Sequence, residues 1–370
     1  MKTLLQQLIA AAPTQNNGER QAAEGLAAWF HASGLTAEVD IWDNSRANVV
    51  VHLKAAGPAK RPPLLAAAHL DVVPADAAKW TVKPFTPTER DGRLYGRGAT
   101  DMLGAVAAVS AAMVETAKHP ERVSGDVIFA ALAGEETDSC GAKRFLDQYR
   151  QRFDAPSGIL IPEPTDLKVL RAHRGILWLN ITAHGRTAHG SMPHLGINAI
   201  LKINALLNRL AGLTLPHTPH PLLGNCSMSV NRIAGGTGTN IVPESCAIEI
   251  DIRTLPGQSP EAIIAHVDAL LNELAQTDPD FKADISVLRS VGALETPQAH
   301  PFVQAVCRAV GTDRTGAVGF TTDGPYFAPL GPVLIVGPGN PELCHKPDEY
   351  IELDALERAK DMYLRIFQNV

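Results

Sequence analysis

Histidine and glutamate side chains, which serve proteins as metal ligands and as acids and bases, follow directly on short apolar runs of this sequence. The run 64–68 is followed by His69, and the run 127–133 is followed, after one glycine, by Glu135 and Glu136. Apolar runs without polar alternation are typical of strands that are buried on both faces of a parallel sheet. Each charged residue therefore lies where a predicted strand leaves the core.

Two further apolar runs lead to the same residue types. The run 158–161 is followed one residue later by Glu163, and the run 333–336 leads through a Gly-Pro-Gly segment to His345. In open α/β sheets, ligands bind in the crevice beyond the carboxyl ends of the strands. We therefore expect these side chains to meet at one edge of the sheet, together with Asp101, which precedes an alanine-rich helix.

Two imidazoles and at least three carboxylates, without a cysteine, suit Zn²⁺ or a related divalent cation. One ion needs only three protein ligands, so the surplus of carboxylates predicts two ions about 3.5–4 Å apart, bridged by one carboxylate. Such a pair lowers the pKa of bound water to about 7 and polarises a carbonyl oxygen. A nearby carboxylate that is not a ligand can pass the proton of the water to a leaving amine. The expected chemistry is hydrolysis of an amide.

The elements that must position these residues alternate over the first 174 residues. Apolar runs alternate with stretches typical of helices, such as the alanine-rich 102–118. This alternation predicts a mostly parallel α/β sheet. The pattern resumes from residue 292. Its predicted elements there are a helix at 301–310, a strand at 333–336 and a helix at 354–367.

A different order of elements is predicted between residues 175 and 291. The expected elements are strand 176–183, helix 198–211, strands 227–233 and 246–253, helix 260–275 with Ser259 as its N-cap, and strand 283–288. The order β-α-β-β-α-β is that of a ferredoxin-like α+β domain. The predicted fold class is α/β, with a mostly parallel catalytic domain at 1–174 and 292–370 and an inserted ferredoxin-like domain at 175–291.

The composition is that of a globular chain. Of 370 residues, 45% are hydrophobic and 19% are charged, which excludes a disordered or collagen-like chain. A net charge of −6 gives no electrostatic basis for binding nucleic acid. No stretch reaches the roughly 18 consecutive apolar residues of a membrane span. The expected ligand is a small molecule or peptide.

Cysteine usage and the first residues favour a cytoplasmic location. The five cysteines are far apart and include no CxxC pair, so neither a disulfide framework nor a thiolate zinc site is predicted. The segment 4–9 has three leucines on one helical face and two glutamines between them. This pattern is typical of an amphipathic helix rather than of a signal peptide.

Several segments resemble motifs of the zinc-dependent aminoacylase and carboxypeptidase family, which contains acetylornithine deacetylase and succinyl-diaminopimelate desuccinylase. The resemblance keeps the family's order of motifs. It is carried by segments 67–74 (AAHLDVVP), 80–85, 94–102 (LYGRGATDM), 135–136 (EE), 162–165 (PEPT) and 344–349 (CHKPDE). Segments 171–175, 251–257 and 336–339 are most similar to the acetylornithine deacetylase branch.

The resemblance implies a role for each residue of the predicted metal site. The implied cofactor is a pair of Zn²⁺ ions, for which Co²⁺ or Mn²⁺ could substitute. The implied ligands are His69 and Glu163 on one ion, Glu136 and His345 on the other, and Asp101 on both. Glu135 would be the general base and acid, and Asp71 would orient His69 through the other ring nitrogen.

The inserted domain also carries resembling segments, which imply a homodimer formed through that domain. His189 would stabilise the tetrahedral oxyanion, either in its own subunit or in the partner's site. Asn240 and Arg253 would contact the substrate, since a guanidinium can bind a carboxylate through two parallel hydrogen bonds. Further residues implied in the pocket are Arg174, Thr322 and Gly324.

The predicted function is a metal-dependent amidohydrolase of amino-acid biosynthesis that removes an acetyl or succinyl group from the nitrogen of an amino acid. Carboxypeptidase, dipeptidase and general aminoacylase action stay open, because loops set the acyl and side-chain pockets. A nucleotide-dependent transferase or a serine hydrolase would need GxxxxGK[ST], GxGxxG or GxSxG motifs, which are absent in the required context. A non-catalytic metal or amino-acid sensor is the alternative from another class, and the presence of Glu135 beside five ligands argues against it.

Overall fold

The structure is a computed structural model that describes residues 1–370, apart from the side chain of Arg150. The strands are β1 Ala37–Trp42, β2 Arg46–Leu53, β3 Leu64–His69, β4 Thr88–Arg90, β5 Arg93–Tyr95, β6 Val127–Leu132, β7 Gly158–Ile161, β8 Leu170–His173, β9 Gly175–His184, β10 Ser227–Gly235, β11 Ser245–Thr254, β12 Lys282–Val291, β13 Leu294–Glu295, β14 Gly316–Val318, β15 Val333–Ile335 and β16 Tyr350–Glu352. The helices are α1 Lys2–Ala10, α2 Arg20–Ala32, α3 Leu103–Ala117, α4 Cys140–Arg152, α5 Ala199–Leu210, α6 Pro260–Thr277, α7 Pro301–Val310, α8 Gly324–Phe327 and α9 Leu353–Asn369.

One compact unit is built around a large mixed sheet. It comprises Met1–Ala172, Glu295–Ala317 and Thr322–Val370. The order of the sheet is β1-β2-β6-β3-β7-β15-β8-β13, with β14 paired to β8. Its centre, from β6 through β3 and β7 to β15, is parallel, whereas the pairings β1–β2, β2–β6 and β15–β8 are antiparallel. The predicted α/β class with a mostly parallel central sheet is confirmed.

The unbroken apolar runs of the sequence are the fully buried strands of this sheet. Every residue of β3 and of β6 is buried, as a strand covered by helices on both faces requires. Helix α3 packs closely against the loop that precedes it. A Cβ on Gly104 would lie 2.4 Å from the carbonyl oxygen of Ala99, so a glycine is needed at this position.

The second compact unit comprises His173–Leu294 and Val318–Thr321. Its antiparallel sheet has the order β10-β11-β9-β12, and alternate residues of β9 and β11 pack with helices α5 and α6 in a separate apolar core. This is the strand order of a ferredoxin-like domain, as predicted. The Ser259 hydroxyl accepts a hydrogen bond from the Ala262 N–H at 3.2 Å and caps helix α6.

The structure departs from the prediction mainly in short elements. Strands β4, β5 and β16 form a small sheet of their own, which the sequence pattern did not indicate. Each has three residues, too few for an alternating or continuous apolar pattern to be read. The second unit also includes residues 318–321, which the sequence placed in the catalytic domain. Among the described helices, none has the length and hydropathy needed to cross a bilayer.

A buried ion pair lies behind the turn that follows β6. The Glu19 side chain is fully buried, and its carboxylate lies 3.4 Å from Nε of Arg46. The Arg46 Nη2 atom also donates to Oδ1 of Asp138 at 3.2 Å and to Sγ of Cys140 at 3.0 Å. Burial, joined by the charge of Asp71, raises the pKa of Glu19 from 4.5 to about 7 in spite of Arg46.

The substitution Glu19→Gln should change how stability depends on pH. A carboxyl group with a raised folded pKa stabilises the fold fully below its unfolded pKa, 4.5, and this contribution is lost as pH rises through about 7. The unfolding free energy of the variant, relative to wild type, should therefore rise by up to about 3 kcal/mol between about pH 5 and about pH 8. Urea unfolding at each pH measures this difference.

The matched control is Glu24→Gln, which removes an exposed carboxylate from helix α2. The difference in unfolding free energy between this variant and wild type should not show the same rise with pH. A constant difference for Glu19→Gln over the same pH range would show that Glu19 does not titrate as described.

Candidate metal centre

Three potential ligands converge where β3, β7 and the loop before α3 end. Nitrogen and oxygen atoms of His69, Asp101 and Glu163 lie within 4.8 Å of one another. The His69 Nε2 atom is 3.2 Å from Oδ1 of Asp101 and 3.6 Å from Oε1 of Glu163. His69 and Glu163 are buried. One imidazole and two carboxylates form a donor set suited to a divalent cation.

A second group of potential ligands adjoins the first. It consists of Asp101, Glu136 and His345, whose donor atoms also lie within 4.8 Å of one another. The His345 Nε2 atom is 2.9 Å from Oε1 of Glu136 and 3.4 Å from Oδ2 of Asp101. The two oxygens of Asp101 thus belong to different groups, Oδ1 beside His69 and Oδ2 beside His345. This is the arrangement of a carboxylate that bridges two cations.

Burial raises the pKa of the glutamates around these groups. It is the largest cause of the raised pKa of Glu163, Glu136 and Glu135, and the charge of Asp101 adds to it at Glu136, as the charge of Asp323 does at Glu135. Buried carboxylates of this kind ionise readily only when positive charge lies beside them. The donor set and its electrostatics therefore fit divalent cations, which supply that charge.

Asp101 behaves differently because both imidazoles reach it. Although burial acts to raise its pKa, hydrogen bonds with His345 and His69 hold the pKa of Asp101 well below its ordinary value. Hydrogen bonds with Asp101 and Glu136 raise the pKa of His345 to about 10. Burial acts to lower the pKa of His69, but the charge of Glu163 and the hydrogen bond with Asp101 outweigh it. The shared carboxylate is therefore ionised.

The backbone carbonyl and the carboxylate of Asp71 accept hydrogen bonds from different partners. The ring Nδ1 of His69 lies 2.8 Å from the backbone carbonyl oxygen of Asp71 and 3.6 Å from its carboxylate. Because a carbonyl only accepts, Nδ1 carries a proton, and Nε2 is the atom that faces the other ligands. The backbone carbonyl of Asp71, rather than its carboxylate, therefore accepts the hydrogen bond that orients His69.

The Asp71 carboxylate instead holds the turn after β6. Its Oδ1 and Oδ2 atoms accept the backbone N–H groups of Glu135 and Glu136, each at 3.0 Å. Both glutamates are thereby fixed relative to His69, two residues before Asp71. Of these two, Glu136 is a member of the second ligand group, and the groups found among the described residues do not include Glu135.

Two residues that the sequence reasoning left without a role adjoin the centre. Arg97 and Glu349 form a buried ion pair, with Nη1 of Arg97 2.6 Å from Oε2 of Glu349. Both lie in segments that carry the family resemblance, 94–102 and 344–349. The resemblance of these two segments was the one sequence signal for the pair, because neither residue belongs to a periodic pattern.

The remaining predicted residues lie mostly in the second unit. His189 and Asn240 are exposed, and Arg253 forms an ion pair with Asp251 at 2.9 Å. Arg174 donates from Nη2 to the carbonyl oxygen of Leu223 at 2.6 Å. Their roles toward a substrate stay predictions.

Thr322 and Gly324 belong to the first unit and are both buried. The Gly324 N–H donates to the Thr322 hydroxyl at 2.9 Å, which fixes the backbone at the start of helix α8. Their contact with a substrate is likewise still a prediction.

Similarity to known proteins extends over most of the chain. An acetylornithine deacetylase of Erwinia tasmaniensis is 32% identical over 362 residues, which cover 92% of this chain and 88% of that protein. The acetylornithine deacetylase of Proteus mirabilis is 31% identical over 93% of this chain and 88% of its own length.

Solved structures share the fold at lower identity. The aminopeptidase PepT from Bacillus cereus superposes with a TM-score of 0.80 at 19% identity, covering 100% of this chain and 97% of its own. The Bacillus subtilis YXEP protein, described as a dinuclear metal-binding peptidase, has a TM-score of 0.75 at 16% identity, covering 100% and 98%. The model of peptidase family M20/M25/M40 matches residues 65–369. This chain therefore belongs to peptidase family M20/M25/M40, as the resemblance of its motifs predicted.

Proposed function

We propose that the protein is a metal-dependent amidohydrolase that removes an N-acyl group from an amino acid. The observation that carries this proposal is the Asp101 carboxylate, which has one oxygen in each of two adjacent groups of metal-binding side chains. Relatives that are acetylornithine deacetylases support an N-acetyl amino acid as the substrate. The free cysteines are consistent with our further proposal of a cytoplasmic enzyme of amino-acid biosynthesis.

The proposed cofactor is a pair of Zn²⁺ ions, which Co²⁺ or Mn²⁺ could replace. His69 and Glu163 would hold one ion, Glu136 and His345 the other, and Asp101 both. Such ions polarise an amide carbonyl and lower the pKa of a water molecule to about 7.

Glu135 is the proposed general base and acid. It accepts a proton from the attacking water on a carboxylate oxygen and delivers it to the amine nitrogen as the C–N bond breaks, which leaves a carboxylate and a free amine. Because Asp71 holds the N–H groups of Glu135 and Glu136, the base is fixed beside the ligand that follows it.

His189 is the proposed donor to the oxyanion. The backbone N–H of Ser191 donates to Nδ1 of His189 at 3.2 Å, so the proton of the neutral ring is on Nε2. An exposed Nε2–H is the group that such a role requires. We propose that Arg253, Arg174 and Asn240 contact the amino-acid part of the substrate. Thr322 and Gly324 are also proposed substrate contacts.

The substrate class can be tested with a panel of N-acetyl amino acids, N-succinyl amino acids and dipeptides in the presence of Zn²⁺ or Co²⁺. We expect the highest kcat/KM on an N-acetyl amino acid, loss of activity with a chelator and its return with added metal. Preferential cleavage of dipeptides would assign the chain to the dipeptidase alternative. Activity on no member of the panel would overturn the proposal in favour of a non-catalytic binding protein.

The substitution Glu135→Gln should lower kcat by about a hundredfold to ten-thousandfold, the usual contribution of a general acid–base group. Metal content, measured by elemental analysis, should be that of the wild type. The matched variant is Glu136→Gln at the next residue, which should lose metal. Unchanged turnover in Glu135→Gln would be incompatible with the proposed mechanism.

A homodimer through the second unit is also proposed. Strand β10 lies at the edge of its sheet, where unpaired backbone groups can accept a strand of another chain. Large apolar side chains are exposed on this strand and on the segments before and after it, namely Met192, Leu195, Ile200, Leu201, Val230, Ile233 and Ile241. A Cβ on Gly236 would lie 3.6 Å from Cδ1 of Ile200, so the start of α5 adjoins the end of β10.

The substitution Ile233→Lys should convert the dimer to a monomer in light scattering after size exclusion. The reason is that a charge would replace a side chain that is 56% exposed in the single chain and covered in the dimer. The matched control is Leu288→Lys on the opposite edge strand, β12, where the side chain is 53% exposed; it should stay dimeric. A monomeric wild-type protein would refute the proposed assembly.

A further inference from the structure

The carboxylate of Glu349 organises the loop that ends at Asp101. It is fully buried, and its Oε1 atom accepts the backbone N–H groups of Thr100 at 2.8 Å and of Asp101 at 3.0 Å. Its Oε2 atom accepts the N–H of Gly98 at 3.1 Å and the guanidinium of Arg97 at 2.6 Å. One side chain from the segment before β16 thus fixes the backbone that presents Asp101, the residue common to both groups.

The guanidinium of Arg97 in turn binds the segment that carries Glu349. Besides Glu349, it donates to the carbonyl oxygen of His345 from Nη2 at 3.3 Å and to that of Lys346 from Nη1 at 3.4 Å. Its Cζ atom lies 5.2 Å from the ring centre of Trp80, within the range of a cation–π contact. Each member of the Arg97–Glu349 pair therefore holds the segment that carries the other.

These two segments supply Asp101 and His345, which are both members of the second ligand group. His345 has a φ of 63°, a left-handed conformation that a residue other than glycine adopts when its surroundings hold it there. The bond from Arg97 to its carbonyl oxygen supplies such a restraint. Burying an ion pair is a weak way to gain stability, so a geometric role accounts better for this one.

We propose that the Arg97–Glu349 pair positions Asp101 relative to His345 and thereby sets the affinity of the second ligand group for its metal ion. The inference rests on the proposed function, because it requires that both groups bind metal. The first group shares Asp101, but its other two members are His69 from strand β3 and Glu163 from the segment after β7. Among the hydrogen bonds of the described side chains, none joins either of these residues to the pair, so the first ion should be less affected.

The test is calorimetric titration of metal-free protein with Zn²⁺. Wild type should bind two ions. In Glu349→Gln and Arg97→Lys, the affinity for the second ion should fall about tenfold to a hundredfold, the usual effect of losing a partner that orients ligands, with less change for the first. Arg97→Lys keeps the charge, but a single ammonium cannot reproduce the fork that reaches Glu349 and His345 together. Raising the Zn²⁺ concentration should restore kcat in both variants.

The matched control is Asp126→Asn. Asp126 also accepts a backbone N–H, from Ala55 at 3.0 Å, and pairs with a basic side chain, His52, but it lies where strand β6 begins, at the opposite end from the centre. This variant should bind both ions as wild type does. Thermal unfolding of the metal-free proteins checks that each variant is folded.

The outcomes separate this inference from the proposed function. Binding of both ions with wild-type affinity by the two variants would overturn the positioning role and leave the proposed function intact. An equal loss of affinity for both ions would also overturn it, because the effect would then not involve His345, which only the second group contains. A wild-type protein that binds no ion would instead refute the proposed function itself.

Discussion

Several carboxylates lie buried together at the candidate metal centre, where they ionise readily only beside positive charge. Asp101 places one oxygen beside His69 and the other beside His345, while Glu136 and Glu163 are buried close by with raised pKa values. So many acidic groups cannot all ionise in a small, water-poor space unless cations neutralise them. The crevice at the carboxyl ends of the central parallel strands holds these groups, and bound metal ions would neutralise their negative charge.

Buried carboxylates also fix the backbone at two places around the centre by accepting hydrogen bonds from N–H groups. Asp71 accepts the N–H groups of Glu135 and Glu136, and Glu349 accepts those of Thr100 and Asp101. Turns beyond the ends of strands lack the hydrogen bonds of the sheet, so their buried N–H groups need other acceptors. One carboxylate accepts hydrogen bonds from two such N–H groups at once. The geometry of the turn then determines where the neighbouring side chains point. Asp71 and Glu349, which belong to neither group of potential ligands, therefore position residues that do.

Much of this arrangement was predictable from the sequence, because it depends on local patterns. The strand 158–161 and the helix 301–310 have the predicted bounds, since a continuous apolar run and a Pro-to-Gly segment mark them. Four of the five potential ligands follow apolar runs and the fifth, Asp101, precedes a helix, and these positions predicted that they meet at one edge of the sheet. Roles that depend on one oxygen rather than another, as at Asp71, were not predictable, because spacing alone does not distinguish a carbonyl from a carboxylate. Nor did any periodicity reveal that Arg97 and Glu349 would pair.

The place of strand β15 in the sheet affects how the chain folds while it is being synthesised. This strand, Val333–Ile335, lies between β7 and β8, which are adjacent in sequence and made much earlier. A nascent chain that has emerged only as far as residue 300 must therefore keep a gap in the middle of its main sheet, whereas the locally connected second sheet is already complete. Long-range pairings of this kind close slowly. The potential ligand His345 lies in the segment that follows β15, so one stretch of the chain, 333–345, completes both the main sheet and the second ligand group.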